Sequence, residues 1–181
     1  SILKIICNQK LLAHKISIVQ KAINSKTNFD LLKGILIVAK GDKIVLTGYD
    51  LEIGIETYAQ AEIAQEGSIV INARLFGDIL RKLPNSFVEI ETDEENNVYI
   101  NCLNSKFKIK GDSPEEYPVL PDVSEENLYS VPQDILKNIQ KNIFFKNYPL
   151  NILCSNLNES SSILGAALIP ISDFFNLVNS D

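Results

Sequence analysis

The residue types that most often carry enzyme chemistry are scarce in this chain. It has a single histidine, His14, and a nucleophilic site would need that histidine beside an activated serine or cysteine. No nucleophile motif accompanies it, and it sits on the polar side of a segment with helical spacing. Phosphate-binding patterns of the GxxxxGK[ST] or GxGxxG type are also absent from the sequence. We therefore predict a surface histidine and no catalytic residues.

Carboxylates are more abundant, but their spacing does not favour a metal site. Glu89 and Glu91 alternate along a predicted strand and so face solvent, and residues 93–95 belong to a polar hairpin turn. Asp50 and Glu52 are two positions apart on one strand face, beside a bend. We expect neither a metal ion nor a cofactor.

The three cysteines point to a reducing compartment. They are odd in number and far apart, without a CxxC pair, so neither a disulfide framework nor a zinc site is expected. No apolar run approaches the roughly 20 residues that span a membrane, and no secretory signal opens the chain. The sequence therefore predicts a cytoplasmic protein without membrane association. The cysteines are Cys7, Cys102 and Cys154.

The hydrophobic periodicity predicts an α+β fold with helices packed on antiparallel sheets. Apolar positions at helical spacing predict helices over 8–26, 72–84, 132–146 and 171–181. Alternating or continuous apolar runs between turn signals predict strands over 2–7, 34–40, 43–48, 50–58, 68–72, 86–92, 98–103, 105–110, 128–131, 150–154 and 163–169.

A proline-rich and acidic stretch, 111–127, divides the chain. We predict a first domain over 1–122 and a second over 123–181, where the pattern restarts. The segment from Gly67 resembles the segment from Gly165, but the second unit is shorter between its two helices. It is either a degenerate unit or one that lacks part of its sequence here.

Charge is distributed unevenly between predicted helices and the rest of the chain. The net charge is −6, with 17 basic and 23 acidic residues. The helices hold ten of the bases and four of the acids, which leaves seven bases and nineteen acids elsewhere. A segregated field of this kind attracts a polyanion to one surface while the whole protein stays acidic.

The helical phase places the bases opposite the apolar stripes at about 100° per residue. Lys10, His14 and Lys21 lie opposite the stripe of the first helix, and Arg74 and Arg81 opposite that of the second. Lys137 and Lys141 have the same relation in the third helix. Solvated lysines on amphipathic helices are common, so one such helix is uninformative; three together favour sequence-independent contacts to phosphates.

Three segments give the chain a family resemblance. They are residues 25–56 with TGYDLEI, residues 67–84 (GSIVINARLFGDILRKLP), and residues 106–121 ending in EEYPVLP. In combination they resemble the first domain of the bacterial DNA polymerase III beta subunit family, the beta sliding clamps. The resemblance covers residues 2–145 well and is patchy afterwards.

The resemblance implies a clamp fold of repeated units, each with two helices on antiparallel sheets. It also implies a homodimeric ring around double-stranded DNA, with DNA polymerase III subunits and a clamp loader as partners and no catalysis. Lys26 matches a basic DNA-contacting position of the family, and Arg74 and Arg81 match basic residues of its second, pore-facing helix. Lys106 and Phe107 match a subunit-interface edge, and Pro170 a partner-peptide pocket. With the basic faces above, the predicted DNA-binding residues are Lys10, Lys21, Lys26, Arg74, Arg81, Lys82, Lys137 and Lys141.

The sequence leaves a second function open. The T-D-x-H-R-L segment of the family is not readable in 151–165, and Asp30 stands where many relatives have proline. A protein-interaction module that kept the clamp fold but binds only peptides would share the same motifs. Binding to DNA at low salt discriminates between the two functions.

Overall fold

The computed structural model describes residues 2–51, 53–120, 128–131, 150–154 and 163–167. Within these ranges two α-helices pack on two β-sheets. The helices are α1 (Gln9–Val19) and α2 (Ala73–Lys82). The strands are β1 (Lys4–Asn8), β2 (Gly34–Lys40), β3 (Lys43–Tyr49), β4 (Ile53–Gln60), β5 (Glu62–Gln65), β6 (Gly67–Asn72), β7 (Phe87–Thr92), β8 (Asn97–Cys102), β9 (Ser105–Lys110), β10 (Leu128–Val131), β11 (Leu150–Cys154) and β12 (Ile163–Ala167).

The first 110 residues contain the same strand–helix–three-strand unit twice. The first unit is β1, α1 and the antiparallel run β2–β3–β4; the second is β6, α2 and the run β7–β8–β9. The units exchange their first strands, because β1 pairs with β7 and β6 pairs with β2. One sheet therefore has the order β5-β1-β7-β8-β9, and the other contains β4-β3-β2-β6. This exchange gives the domain an approximate internal two-fold symmetry.

Both helices begin in the same way. Each follows a strand directly and has an asparagine at its N-cap. The side-chain oxygen of Asn8 accepts a hydrogen bond from the Leu11 amide, and that of Asn72 accepts one from the Leu75 amide, both at 3.0 Å. Such caps satisfy amides that have no partner within the helix. The symmetry thus extends to the residues that start each helix.

One continuous apolar core lies between the helices and the sheets. Leu12, Ile16 and Val19 of α1 and Phe76 and Leu80 of α2 are fully buried in it. Gly48 on β3 allows the close approach of α1, because a Cβ there would lie 2.7 Å from the Val19 carbonyl oxygen. Both helices therefore form one layer whose other side faces away from the core.

The predicted α+β class is confirmed, and most strand bounds agree within two residues. The prediction of a helix to residue 26 is wrong: α1 ends at Val19 and a 3₁₀ turn, Gln20–Ala22, follows it. Asn24 then forms a turn, accepting the Lys26 amide on its side chain and the Thr27 amide on its carbonyl. Asparagine competes with helix hydrogen bonds in this way. The predicted strand 50–58 starts later because Leu51 has φ 74°, outside strand geometry.

The linker packs onto the first domain before the described range ends. Tyr117 is buried, and its hydroxyl lies 3.2 Å from both the Gly34 and the Thr47 carbonyl oxygens. Beyond the linker, β11 pairs in parallel with β4, and β12 and β10 continue the same sheet. The predicted strands 128–131 and 150–154 are confirmed, whereas the helices predicted at 132–146 and 171–181 lie outside the described residues. The division into domains at residue 122 stays a prediction.

Candidate nucleic-acid interface

Two glutamines hold α1 and α2 side by side in antiparallel orientation. The Gln9 side chain donates to the Leu80 carbonyl at 2.7 Å, and the Gln20 side chain donates to the Ala73 carbonyl at 2.9 Å. The start of one helix therefore lies beside the end of the other. Gly77 is at the contact, since a Cβ there would lie 3.0 Å from the Gln20 amide. The sequence pattern did not reveal these glutamines; polar residues next to the apolar stripes were their only signal.

The exposed stripe of α1 is cationic, as the helical phase predicted. Lys10, His14 and Ser17 are exposed on the helix, and Lys21 continues the stripe on the 3₁₀ turn. Their spacing of four, three and four keeps them on one side. The described surface of this element therefore presents positive charge away from the core.

The exposed side of α2 adds three further bases. Arg74, Arg81 and Lys82 are all exposed. Asp78, the one acid of this helix, forms an ion pair with Arg81. Arg74 stands two residues after its asparagine cap, as Lys10 does in α1. The approximate symmetry thus places one base near the start of each helix, at opposite ends of the helix pair. Together we call Lys10, His14, Lys21, Arg74, Arg81 and Lys82 the basic helix surface.

Lys15 is the exception among the lysines of α1. It is buried with 6% of its surface exposed, and its ammonium group lies 6.0 Å from the centre of the Tyr58 ring. A cation over an aromatic face is stabilised electrostatically. The ten helical bases counted from the sequence therefore overstate the basic helix surface.

Lys26 lies on the connection between α1 and β2 rather than on a helix. It is exposed on the turn formed by Asn24 and follows Lys21 on the same connection. Phe29, three residues later, has 67% of its surface exposed. The prediction singled out Lys26 and missed Phe29, although an isolated aromatic among polar residues marks it in the sequence.

Strand β9 is the edge strand of its sheet among the described strands. Phe107 and Ile109 are half-buried against the core, whereas Lys106, Lys108 and Lys110 are exposed on the other face. Three of the seven bases outside the helices therefore lie on this single strand. The division into basic helices and acidic strands holds less well here than the composition suggested.

Three of the carboxylates considered as metal ligands, Glu89, Glu91 and Asp93, have other partners. Lys4 pairs with Glu91 at 3.2 Å and with Glu89 at 3.9 Å on the outer face of the sheet. Asp93 accepts hydrogen bonds from the Asn97 side chain and from the Tyr99 hydroxyl, and the bond from Asn97 lowers the pKa of the Asp93 carboxyl. In the described part of the chain no group of three or more His, Cys, Asp or Glu side chains is arranged to hold a metal ion.

None of the described helices is long and apolar enough to cross a bilayer. Lys137, Lys141 and Pro170, predicted for DNA and peptide contacts, lie outside the described residues and stay predictions.

The arrangement of paired helices on two strand-exchanged sheets defines the class: it is the fold of DNA sliding clamps. The crystal structure of the DNA polymerase sliding clamp from Bacillus subtilis matches with a TM-score of 0.71 at 35% identity, covering 77% of this chain and 39% of that one. A DNA polymerase III beta subunit structure from Eubacterium rectale matches with the same TM-score and identity.

The sequence comparisons identify the family. The model of the DNA polymerase III beta subunit, N-terminal domain, matches residues 3–121. The beta sliding clamp of Halalkalibacterium halodurans is 35% identical over 148 residues, and that of Bacillus subtilis 37% identical over 142 residues. The chain belongs to the DNA polymerase III beta subunit family. The first match covers 77% of this chain but only 39% of that relative. The second covers 74% of this chain and 38% of that relative.

Proposed function

We propose that this chain is the N-terminal part of a sliding clamp subunit that encircles duplex DNA and tethers the replicative polymerase without catalysing a reaction. The observation that supports this most directly is the basic helix surface. Its six basic side chains point away from the core, and Asp78, the one acid in the sequences of α1 and α2, is paired with Arg81.

This surface suits contacts with phosphates rather than with bases. Lysine and arginine side chains on the exposed side of the helices neutralise phosphates without reading the base sequence. In a closed ring the DNA is retained by topology, so each contact needs to be only weak. Weak contacts also allow the protein to slide along the duplex.

The partners follow from the family. Relatives are named beta sliding clamps, and we infer a homodimeric ring, a clamp loader and DNA polymerase III subunits as the assemblies of the full-length protein. The exposed edge of β9, with Lys106 and Phe107, is the proposed subunit contact. Lys26, and Lys137 and Lys141 of the second unit, are proposed to extend the DNA-facing surface, and Pro170 to line a peptide pocket.

The test reverses charge at the two symmetry-related bases. The double variant Lys10→Glu with Arg74→Glu should weaken duplex binding and lower its dependence on salt, because each lost phosphate contact removes about 0.9 from the log–log salt slope. The matched control is Lys40→Glu with Lys43→Glu, which changes net charge equally at exposed lysines of the β2–β3 hairpin. Fluorescence anisotropy of a labelled duplex measures both.

The outcomes separate DNA binding from peptide binding. Loss of affinity in the helix variant but not in the hairpin control supports the clamp function. Equal behaviour of the two variants contradicts the assignment of the helix surface. A wild-type protein that binds a clamp-binding peptide but no DNA at low salt is instead the interaction module.

A further inference from the structure

The connection between α1 and β2 is longer than the fold requires. It contains fourteen residues, 20–33, whereas the symmetry-related connection between α2 and β7 contains four, 83–86. The second unit makes the same helix-to-strand passage within the usual two to six residues. The additional residues of the first connection therefore serve something other than chain reversal, and long ordered loops are often functional.

This connection is held in place at both ends and along its length. Ile23 packs against the core at its start and Leu32 is buried at its end. Between them the Lys26 amide donates to the Asn24 side chain at 2.9 Å, and the Phe29 amide donates to the Thr27 hydroxyl at 3.2 Å. Phe29 nevertheless stays 67% exposed. The loop thus holds the backbone of an aromatic residue whose side chain it leaves exposed.

The connection that carries Phe29 also carries exposed lysines. Lys21 and Lys26 are exposed on it ahead of Phe29, and residues 2–29 contain no aspartate or glutamate. The next residue, Asp30, is an acid, and it forms an ion pair with Lys33 at 2.7 Å. An exposed aromatic ring on the same loop as exposed lysines matches a polyanion that carries its own flat rings, whereas an apolar protein partner would not need the lysines.

We propose that Phe29 and Lys26 form a binding site for unpaired nucleotides of single-stranded DNA, next to the duplex held by the basic helix surface. The ring of Phe29 stacks on a base, and the ammonium group of Lys26 contacts the adjoining phosphate. An unpaired base exposes its faces for stacking, whereas a base inside a duplex is covered on both faces, so this site discriminates against the interior of a duplex. This inference rests on the proposed function, since the helices supply the duplex contact beside it.

The chain offers a direct optical test because it contains no tryptophan. In the variant Phe29→Trp the new indole is the sole tryptophan, and a stacked base quenches its emission. We expect an oligothymidylate, added at low salt, to quench this emission, and a blunt duplex to leave it unchanged. The matched control is Phe87→Trp. Phe87 is also 67% exposed, but it lies on β7, in the sheet that does not contain β2. Its emission should not respond to either DNA.

Affinity provides the second measurement. Phe29→Ala should weaken oligothymidylate binding by about five- to 150-fold, the range for one lost stacking contact, while duplex binding stays within twofold of wild type. Phe87→Ala should change neither. If oligothymidylate does not quench Trp emission in Phe29→Trp and Phe29→Ala binds it normally while duplex still binds, this inference is wrong and the proposed function stands. If wild type binds neither DNA, both fail.

Discussion

The side-chain amide of Gln9, at the start of α1, donates a 2.7 Å hydrogen bond to the backbone carbonyl of Leu80, near the end of α2. Gln9 is buried, with 8% of its surface exposed. The same relation recurs at the other end of the pair between Gln20 and Ala73. These two bonds set the spacing of the helices, and with it the spacing of the bases on the basic helix surface.

Removing the buried bond should therefore destabilise the domain. Gln9→Ala loses the hydrogen bond and leaves part of the Leu80 carbonyl unsatisfied in the core, which costs about 1–3 kcal/mol of unfolding free energy. Urea denaturation measures the cost. Ser17→Ala on the exposed side of the same helix is the control and should stay within about 0.5 kcal/mol of wild type. An equal effect of both changes would contradict a role for Gln9 in helix pairing.

The asparagine caps give a second prediction, which uses the internal symmetry. Asn8→Ala and Asn72→Ala should each cost about 1 kcal/mol, because each removes the acceptor for an amide in the first turn of its helix. The two caps share no partner, so the costs should add in the double variant. Asn72→Asp keeps the acceptor and should retain stability at neutral pH. If Asn72→Asp were as unstable as Asn72→Ala, the cap would not be the cause.

The sequence was sufficient to predict the bounds of those elements whose ends are marked by turn residues. The strands at 34–40 and 105–110 were predicted at the bounds that the structure shows, because apolar runs there end at clear turn signals. The end of α1 was misplaced because Ile23 continues the helical apolar spacing although the chain already leaves the helix. Periodicity reports which residues are buried, not which backbone conformation buries them.

The candidate site was predictable only in part, for a related reason. Exposure of Lys10, Lys21 and Arg74 follows from helical phase alone. Burial of Lys15 does not, since it depends on Tyr58, which comes from a distant strand. The exchange of β1 and β6 between the two units is likewise a long-range pairing that leaves no local pattern. Tertiary partners, rather than local spacing, decide these features.

The third prediction concerns the tyrosine that fastens the linker. Tyr117→Phe loses the hydroxyl between the Gly34 and Thr47 carbonyls and should cost about 1 kcal/mol at neutral pH. Burial raises the pKa of Tyr117 to about 12. A pKa raised in the folded state gives stability that is complete below the unfolded value, near 10, and is lost as pH rises towards the folded value.

Wild type should therefore lose its advantage over the Tyr117→Phe variant as the pH increases from 10 towards 12. Urea denaturation of both proteins at pH 7, 10 and 11 checks this, and only the difference between them is interpreted, because other groups titrate equally in both. Burial similarly raises the pKa of Cys7 to about 11 in each protein. A stability difference that stays constant over this range would contradict a buried, neutral Tyr117 hydroxyl.

The last prediction concerns the edge of β9, the proposed subunit contact. An unpaired strand edge can pair with a strand of another chain, and exposed lysines on that edge disfavour pairing with non-complementary partners. If β9 pairs across a subunit interface, the backbone amides of Ser105–Lys110 that point away from β8 gain hydrogen-bond partners. Hydrogen exchange at these amides in the full-length subunit should then slow as protein concentration rises. Strand β5, the opposite edge of the same sheet, is the internal control and should exchange at a constant rate. Slowing at β5 alone, or at neither edge, would place the subunit contact elsewhere than β9.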